Sequence, residues 1–248
     1  MRLSDVDGGV DKFNRGLYAA AIIDFTQALR RSPGSANVLL FRSQAFKMAG
    51  DNAGALRDIN QAKTLEPSSP AVRFGAAGIL KDLGQRAEAL KECEKAVRFD
   101  PQSVAAHELK AELEWGLGFK NQALRSMGKA IALEPRRGSL RIKAAQWFRD
   151  LGRKSAALKE YAAVVRLEPS AATYEVKSDL ESSLGLKAAA WRSLERAIAL
   201  EPGVFALRLK AAKLQARAFQ QELEKPIKPK AAVLLAPVDC QGRASSIG

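Results

Sequence analysis

Apolar residues recur along most of this chain at three- and four-residue steps, the spacing that gathers them on one face of a helix. Ala123, Leu124, Met127, Ala130, Ile131 and Leu133 form such a face, and Val204, Leu207, Ala211, Leu214 and Ala218 form another. Strict alternation, the mark of a strand, is missing. Ala and Leu are abundant, and β-branched runs are few, which favours helices again.

The helical phrases return at a fixed interval. Prolines stand at Pro33, Pro67, Pro101, Pro135, Pro169 and Pro202, an even ladder whose last step is shorter than the others by one. At a constant distance before each proline stands a glycine: Gly16, Gly50, Gly84, Gly118, Gly152 and Gly185. Between them, again at a constant distance, stands an alanine: Ala21, Ala55, Ala89, Ala123, Ala157 and Ala190. Three ladders in phase define a repeat. Each unit reads as two antiparallel helices. Glycine ends the first helix because it accepts a left-handed backbone without a Cβ clash. Alanine marks the place where the helices approach too closely for a larger side chain. Proline ends the second helix, and Ser35, Ser69 and Ser103 stand where the next helix needs a cap. One pair cannot bury its apolar face alone, so neighbouring pairs must stack.

Gly16-Leu-Tyr18, Ala21-Ile-Ile-Asp-Phe25, Ala28-Leu29 and Pro33 resemble the second half of a tetratricopeptide (TPR) repeat, and five further units match the same pattern. The resemblance implies an all-α, right-handed superhelical solenoid of antiparallel helix pairs. The expected organisation is six pairs over 1–202, a capping helix over 203–224 and a basic, flexible tail over 225–248. Two places depart from the pattern. The first helix, Leu3 to Asn14, contains Gly8 and Gly9 and is expected to be frayed or truncated, and unit six lacks one residue between Pro169 and Gly185.

In TPR-like proteins the first helices line a concave groove through the second, fifth, ninth and twelfth positions of each unit. The resemblance therefore assigns to a peptide-binding groove Asn37, Leu40, Gln44 and Lys47 in unit two, and Phe74 and Lys81, with Ala71 and Gly78, in unit three. It assigns Glu108, Glu112 and Trp115, with Ala105, in unit four, and Ile142, Gln146 and Arg149, with Ser139, in unit five. Helical spacing alone puts Glu108, Glu112 and Trp115 on one face. Two readings stand for them: an anchor for a ligand with a basic and an apolar side chain, or a solvated face whose tryptophan packs on a neighbour. The lysine and asparagine clamp with which one TPR subclass holds acidic chaperone tails is missing. Its positions hold Val6 and Val10, Leu40 and Gln44, and Phe74 and Gly78.

Charge adds a second surface. Lys and Arg number 40 against 27 Asp and Glu, a net charge of +13, of which residues 203–248 supply only 8 basic and 3 acidic groups. Just beyond five of the six laddered alanines, after one intervening residue, stands a cation: Arg57, Lys91, Arg125, Lys159 and Arg192, with Lys95, Lys129 and Arg196 one turn later. Such i, i+4 cation pairs gain nothing locally. A polyanion surface, for nucleic acid or anionic lipid, is one reading, and an ordinary solvated face is the other. No aromatic or glycine pattern of an RNA-binding module accompanies the charge.

Chemistry is sparse. His107, the single histidine, falls in register with Leu39, and Cys93 with Phe25, Ile59, Met127, Tyr161 and Leu194. Trp191 aligns with Leu56, Leu90, Leu124 and Leu158, and Trp147 with Ala45, Ile79 and Leu113, so all four are expected in the core. No nucleophile, metal-ligand or phosphate-loop pattern is present, and neither catalysis nor a cofactor is expected. Neither a signal-peptide nor a membrane-spanning pattern is seen, so a cytoplasmic chain is expected. The expected function is a protein–protein interaction scaffold that binds a peptide or helix in the groove. The alternatives are a polyanion-binding accessory protein using the basic ladder, and a regulatory TPR module of a larger enzyme system.

Overall fold

The computed structural model describes residues 5–223, with side chains to residue 216. The first helices of the units are α1 (Asp5–Asn14), α3 (Ala36–Met48), α5 (Pro70–Asp82), α7 (Val104–Gly116), α9 (Gly138–Asp150) and α11 (Ala171–Ser183). The second helices are α2 (Tyr18–Arg31), α4 (Asn52–Leu65), α6 (Arg86–Phe99), α8 (Lys120–Leu133), α10 (Lys154–Leu167) and α12 (Lys187–Leu200). A last helix, α13 (Phe205–Leu223), packs Leu207 and Ala211 against Leu194 and Ala197 of α12. The tail from 225 on, with Val233-Leu-Leu235 and Cys240, lies outside the described residues.

Each ladder has its structural reason. The six laddered glycines are the described residues with positive φ, as at Gly118 with φ +89°. There the Phe119 N–H turns back to the Glu114 carbonyl at 2.8 Å, which closes the helix end. All six laddered alanines are 0% exposed, so even one added carbon would have to displace a neighbouring helix. Phe25, Ile59, Cys93, Met127 and Leu194 fill one equivalent core position in five units, each buried. Full burial of a side chain such as Phe, Ile, Met or Leu contributes roughly 1.5–3 kcal/mol. Ser69, Ser103 and Ser170 accept hydrogen bonds from the backbone N–H three residues on, whereas Ser35 makes no side-chain cap.

Both irregular places are accommodated. Among the described residues the first helix runs from Asp5 to Asn14, and Gly9 is buried because the Phe25 ring lies where its Cβ would be. In unit six the turn after Pro169 is shortened, so α11 begins at Ala171 and the later positions regain their phase.

Units one and two pair Lys12 with Asp24 at 2.7 Å and Arg42 with Asp58 at 2.8 Å inside their hairpins, and units three to six use two further couplings. In units three and five an arginine of the first helix pairs with a glutamate of the second, Arg73 with Glu92 at 2.6 Å and Arg141 with Glu160 at 2.9 Å. In units four and six a lysine, a buried glutamate and a buried serine replace that pair. Ser126 donates to Glu114 and Ser193 to Glu181, both at 2.6 Å, and Lys110 and Lys177 sit beside those carboxylates. Lys177, Glu181 and Ser193 are the counterparts of Lys110, Glu114 and Ser126 two units further along, so the repeat has a second, doubled period.

Successive first helices touch along the array, α1 to α3, α3 to α5 and α5 to α7, while successive second helices make no comparable contact. The first helices therefore form the inner, concave side and the second helices the outer side.

Candidate functional site

The inner surface divides into two halves of different chemistry. Toward the N-terminus, Leu40, Phe41, Gln44, Phe74, Gly75, Gly78, Ile79 and Asp82 line a cleft of ≈ 320 Å³ between α3 and α5. A smaller hollow of ≈ 140 Å³ adjoins it, sharing Phe41 and Gln44 and bounded by Val10, Phe13, Asn14 and Phe25. Phe41 is 42% exposed and stacks on buried Phe25 with ring centres 5.9 Å apart. Gly78 opens the cleft, because a Cβ there would meet nothing within 4 Å. Asp82 forms one polar edge and is held by Lys47 at 2.6 Å.

Toward the C-terminus the inner surface is spanned by ion pairs. Lys143 of α9 reaches Glu108 at 2.6 Å and Glu112 at 2.5 Å on α7. Lys81 meets Glu112 from the other side at 3.1 Å, and Arg137 meets Glu108 at 3.1 Å. Partial burial raises the Glu112 pKa, but hydrogen bonds from Lys143 and Lys81, and their charges, outweigh it and hold the carboxyl below the ordinary glutamate value. Burial likewise pulls Lys143 down, and its bonds to Glu108 and Glu112 carry it above the ordinary lysine value. The arrangement recurs two units on, where Lys210 of α13 bonds Glu175 at 2.8 Å and Asp179 at 2.7 Å.

Of the groove positions expected from the sequence, the structure brings Leu40, Gln44, Phe74 and Gly78 to one cleft. Lys47, Lys81, Glu108 and Glu112 are engaged in ion pairs between units. Asn37, Gln146 and Arg149 are exposed and make no side-chain hydrogen bond or ion pair among the described residues, and Ile142 is half-buried. Trp115 is half-buried rather than exposed. It stacks on Trp147 with ring centres 4.6 Å apart and planes 6° from parallel, and the Lys120 ammonium lies 3.9 Å from its ring centre. Packing on a neighbour is the reading that fits it. Sequence reasoning passed over Phe41 and Gly75, which occupy the sixth position of their units. That position follows the fifth by about 100° around the helix, and so shares its side of the groove.

The core assignments can be placed as well. The His107 Nε2–H donates to the Pro101 carbonyl at 3.0 Å, the contact that Arg73 and Arg141 make in their units to Pro67 and Pro135. His107 is thus a buried strut between a helix and the preceding turn. The Cys93 thiol donates to the Ala106 carbonyl at 3.2 Å, and burial pushes its pKa up to about 12. Trp147 is buried, but Trp191 is only half-buried. On the outer surface, Arg57, Lys91, Arg125, Lys129, Lys159, Arg192 and Arg196 are exposed and form no ion pair among the described residues. Lys95, in contrast, is half-buried and paired with Glu92 at 3.1 Å.

Among the described residues no three His, Cys, Asp or Glu side chains stand together as a metal site, and no helix is long and apolar enough to cross a membrane.

Stacked helix hairpins with an inner groove define a helical-repeat solenoid, a class built around extended concave surfaces. A family model, tetratricopeptide repeat, matches residues 46–113. The same hairpin repeats in phase on both sides of that segment, so the rest of the described array has the fold of the matched repeat. Among solved structures it is similar to the C-terminal part of a TPR repeat-containing protein from Cytophaga hutchinsonii, with TM-score 0.70 and 17% identity over 88% of each chain. It is similar to PilW, a widely conserved type IV pilus biogenesis factor, with TM-score 0.62, 18% identity and coverage of 83% of this chain and 96% of that one. A third is YrrB, a TPR protein with an unusual peptide-binding site, with TM-score 0.59, 21% identity and coverage of 76% and 97%. No curated protein matches the chain in sequence.

Proposed function

We propose that this chain is a non-catalytic protein-interaction scaffold that takes an apolar side chain of an extended peptide or helix into the cleft between α3 and α5. The observation that carries the reading is an exposed aromatic, Phe41, beside Phe74 and Leu40 in a hollow that Gly78 leaves open on the inner surface. Binding energy concentrates where a ligand side chain is fully desolvated in a preformed pocket. Glu108 and Glu112 are weaker anchors, since a basic ligand residue must first displace Lys143. A peptide-binding site on YrrB, a protein of the same fold, is consistent with this use of the surface.

Gly78→Leu is the direct test, because the new side chain fits the helix and fills the cleft. Peptides selected from a random library on the full chain should carry an aromatic or large aliphatic residue. Their affinity, measured by titration calorimetry, should fall at least about tenfold in Gly78→Leu, the equivalent of about 1.4 kcal/mol. Glu112→Gln should change it less than about twofold. Undiminished affinity in Gly78→Leu would overturn the proposal.

A further inference from the structure

The outer surface is not uniform, and its cationic character concentrates on α8, α10 and α12. Helix α8 contains no acidic residue at all. The one acid of α10, Glu160, is taken by Arg141, and α12 exposes a single acid, Glu195. Over the same three helices Arg125, Lys129, Lys159, Arg192 and Arg196 are exposed and free of ion pairs among the described residues. On α6, by contrast, Glu88, Glu92 and Glu94 surround the lysines. Leaving so many like charges unneutralised on adjacent, equivalent positions costs self-repulsion and builds a positive field along the strip.

At the C-terminal end of this strip lies a cleft of ≈ 380 Å³ between α12 and α13, lined by Lys187, Ala188, Trp191, Arg192, Leu214 and Gln215. Arg192 belongs to both features, so the strip runs into the cleft. Trp191 is half-buried there, and its indole N–H makes no hydrogen bond among the described residues. A flat aromatic wall between two cations is more than a phosphate-binding patch. A free polyphosphate or a phospholipid headgroup has no planar ring to lay on Trp191, and an acidic peptide has one only where an aromatic residue stands among its carboxylates. A strand that alternates phosphates with bases uses both elements, phosphates on the cations and a base stacked on the indole.

We propose that the outer face of α8, α10 and α12 binds single-stranded nucleic acid, with one base stacked on Trp191 and the flanking phosphates on Arg192 and Lys187. The strand continues over Lys159 and Arg125. This surface belongs to the second helices and is independent of the inner cleft formed by the first helices.

The test is fluorescence anisotropy of the full chain with a labelled oligouridylate of about 20 nucleotides, repeated with unlabelled inorganic polyphosphate as competitor. Charge reversal in Arg125→Glu/Lys159→Glu should weaken binding at least tenfold. It should also flatten the dependence of log affinity on log salt by about 0.7 for each phosphate no longer neutralised. Trp191→Leu should weaken the oligonucleotide about 5- to 150-fold, the equivalent of about 1–3 kcal/mol per stacked base. The competing strength of polyphosphate should not change. Trp191→Phe keeps a ring on the wall and should bind nearly as the parent does, which separates stacking from a folding defect. Gly78→Leu should bind the oligonucleotide normally. The proposal is overturned if the chain does not bind the oligonucleotide at low salt, or if Trp191→Leu and Trp191→Phe behave alike. It is equally overturned if vesicles containing anionic lipid compete better than the unlabelled oligonucleotide.

Discussion

Gly8 and Gly9 are neighbours in one helix, and replacing each by alanine should move stability in opposite directions. Alanine in a helix interior is favoured over glycine by roughly 0.5–1 kcal/mol, since less backbone freedom is lost on folding. At Gly8 the new Cβ would stand 3.1 Å from the Asp24 Oδ2, the end of a flexible side chain that can give by a few tenths of an ångström. At Gly9 it would stand 2.5 and 2.8 Å from two carbons of the Phe25 ring. That ring is 1% exposed and stacked on Phe41, so it cannot step aside. Overpacking of this sort costs about 1–3 kcal/mol. After the helix gain is subtracted, Gly9→Ala should lose roughly 1–2 kcal/mol while Gly8→Ala gains about 0.5–1. A terminal hairpin of a solenoid can open by itself, so native-state hydrogen exchange of the α1 and α2 amides is the suitable assay. Protection there should fall about 5- to 30-fold in Gly9→Ala and rise about 2- to 5-fold in Gly8→Ala, at about 1.4 kcal/mol per factor of ten. In a Phe25→Leu background the penalty of Gly9→Ala should shrink. A neutral Gly9→Ala, or an undiminished cost beside Leu, would refute the packing argument.

Ser126→Ala strips the Glu114 carboxylate of its closest donor, whereas Ser193→Ala leaves Glu181 bonded to Lys177 at 2.6 Å. Each should cost about 1–3 kcal/mol in urea unfolding, with the larger cost at Ser126, whose carboxylate keeps only Lys110 at 3.7 Å. Glu92 and Glu112 have folded pKa values below the ordinary glutamate value; for both, burial raises the pKa and lysine or arginine partners more than reverse it. Their stabilisation is therefore complete above the unfolded value and disappears as pH falls through the lower folded values. Urea midpoints should hold steady from neutral pH down to about 5 and then drop, with a smaller Glu112 contribution to the drop in Lys143→Met. Lys143 and Lys210 are shifted upward, so their contribution is present below the ordinary lysine value and lost as pH rises through the folded one. The Cys93 thiol, with its pKa near 12, should react with iodoacetamide at pH 8 at least about 100-fold more slowly in the folded chain than in urea, followed by mass spectrometry of its peptide.

The ladders were legible because each records a demand met locally. A positive φ calls for glycine, a broken hydrogen-bond ladder admits proline, and a crossing without room admits only alanine. Side chains that meet across units were not legible. Lys143 and Glu108 belong to different hairpins, as do Trp115 and Trp147. Whether they touch depends on how one hairpin is placed on the next, and their own spacing does not carry that information. For this reason Glu108, Glu112 and Trp115 look like an open binding face in the sequence, while the structure shows two carboxylates already answered by lysines and an indole already stacked. Trp191 errs the other way. Its register with leucines at Leu56, Leu90, Leu124 and Leu158 suggests a core residue, but with no further hairpin beyond α13 among the described residues, part of its ring faces a cleft.

The doubled period has a consequence for how such an array changes length. Excising the segment 104–170 would join Ser103 to Ala171, and Lys81 would exchange Glu112 for Asp179, its counterpart two units on. Every junction would keep a partner it already knows. Excising one hairpin, 104–137, would set Lys81 against Gln146 and bring the Lys143 ammonium over Phe74 and Gly78, in a cleft whose carboxylate, Asp82, is already held by Lys47. In this solenoid the smallest part that can be duplicated or lost without rewriting its neighbours is two hairpins long.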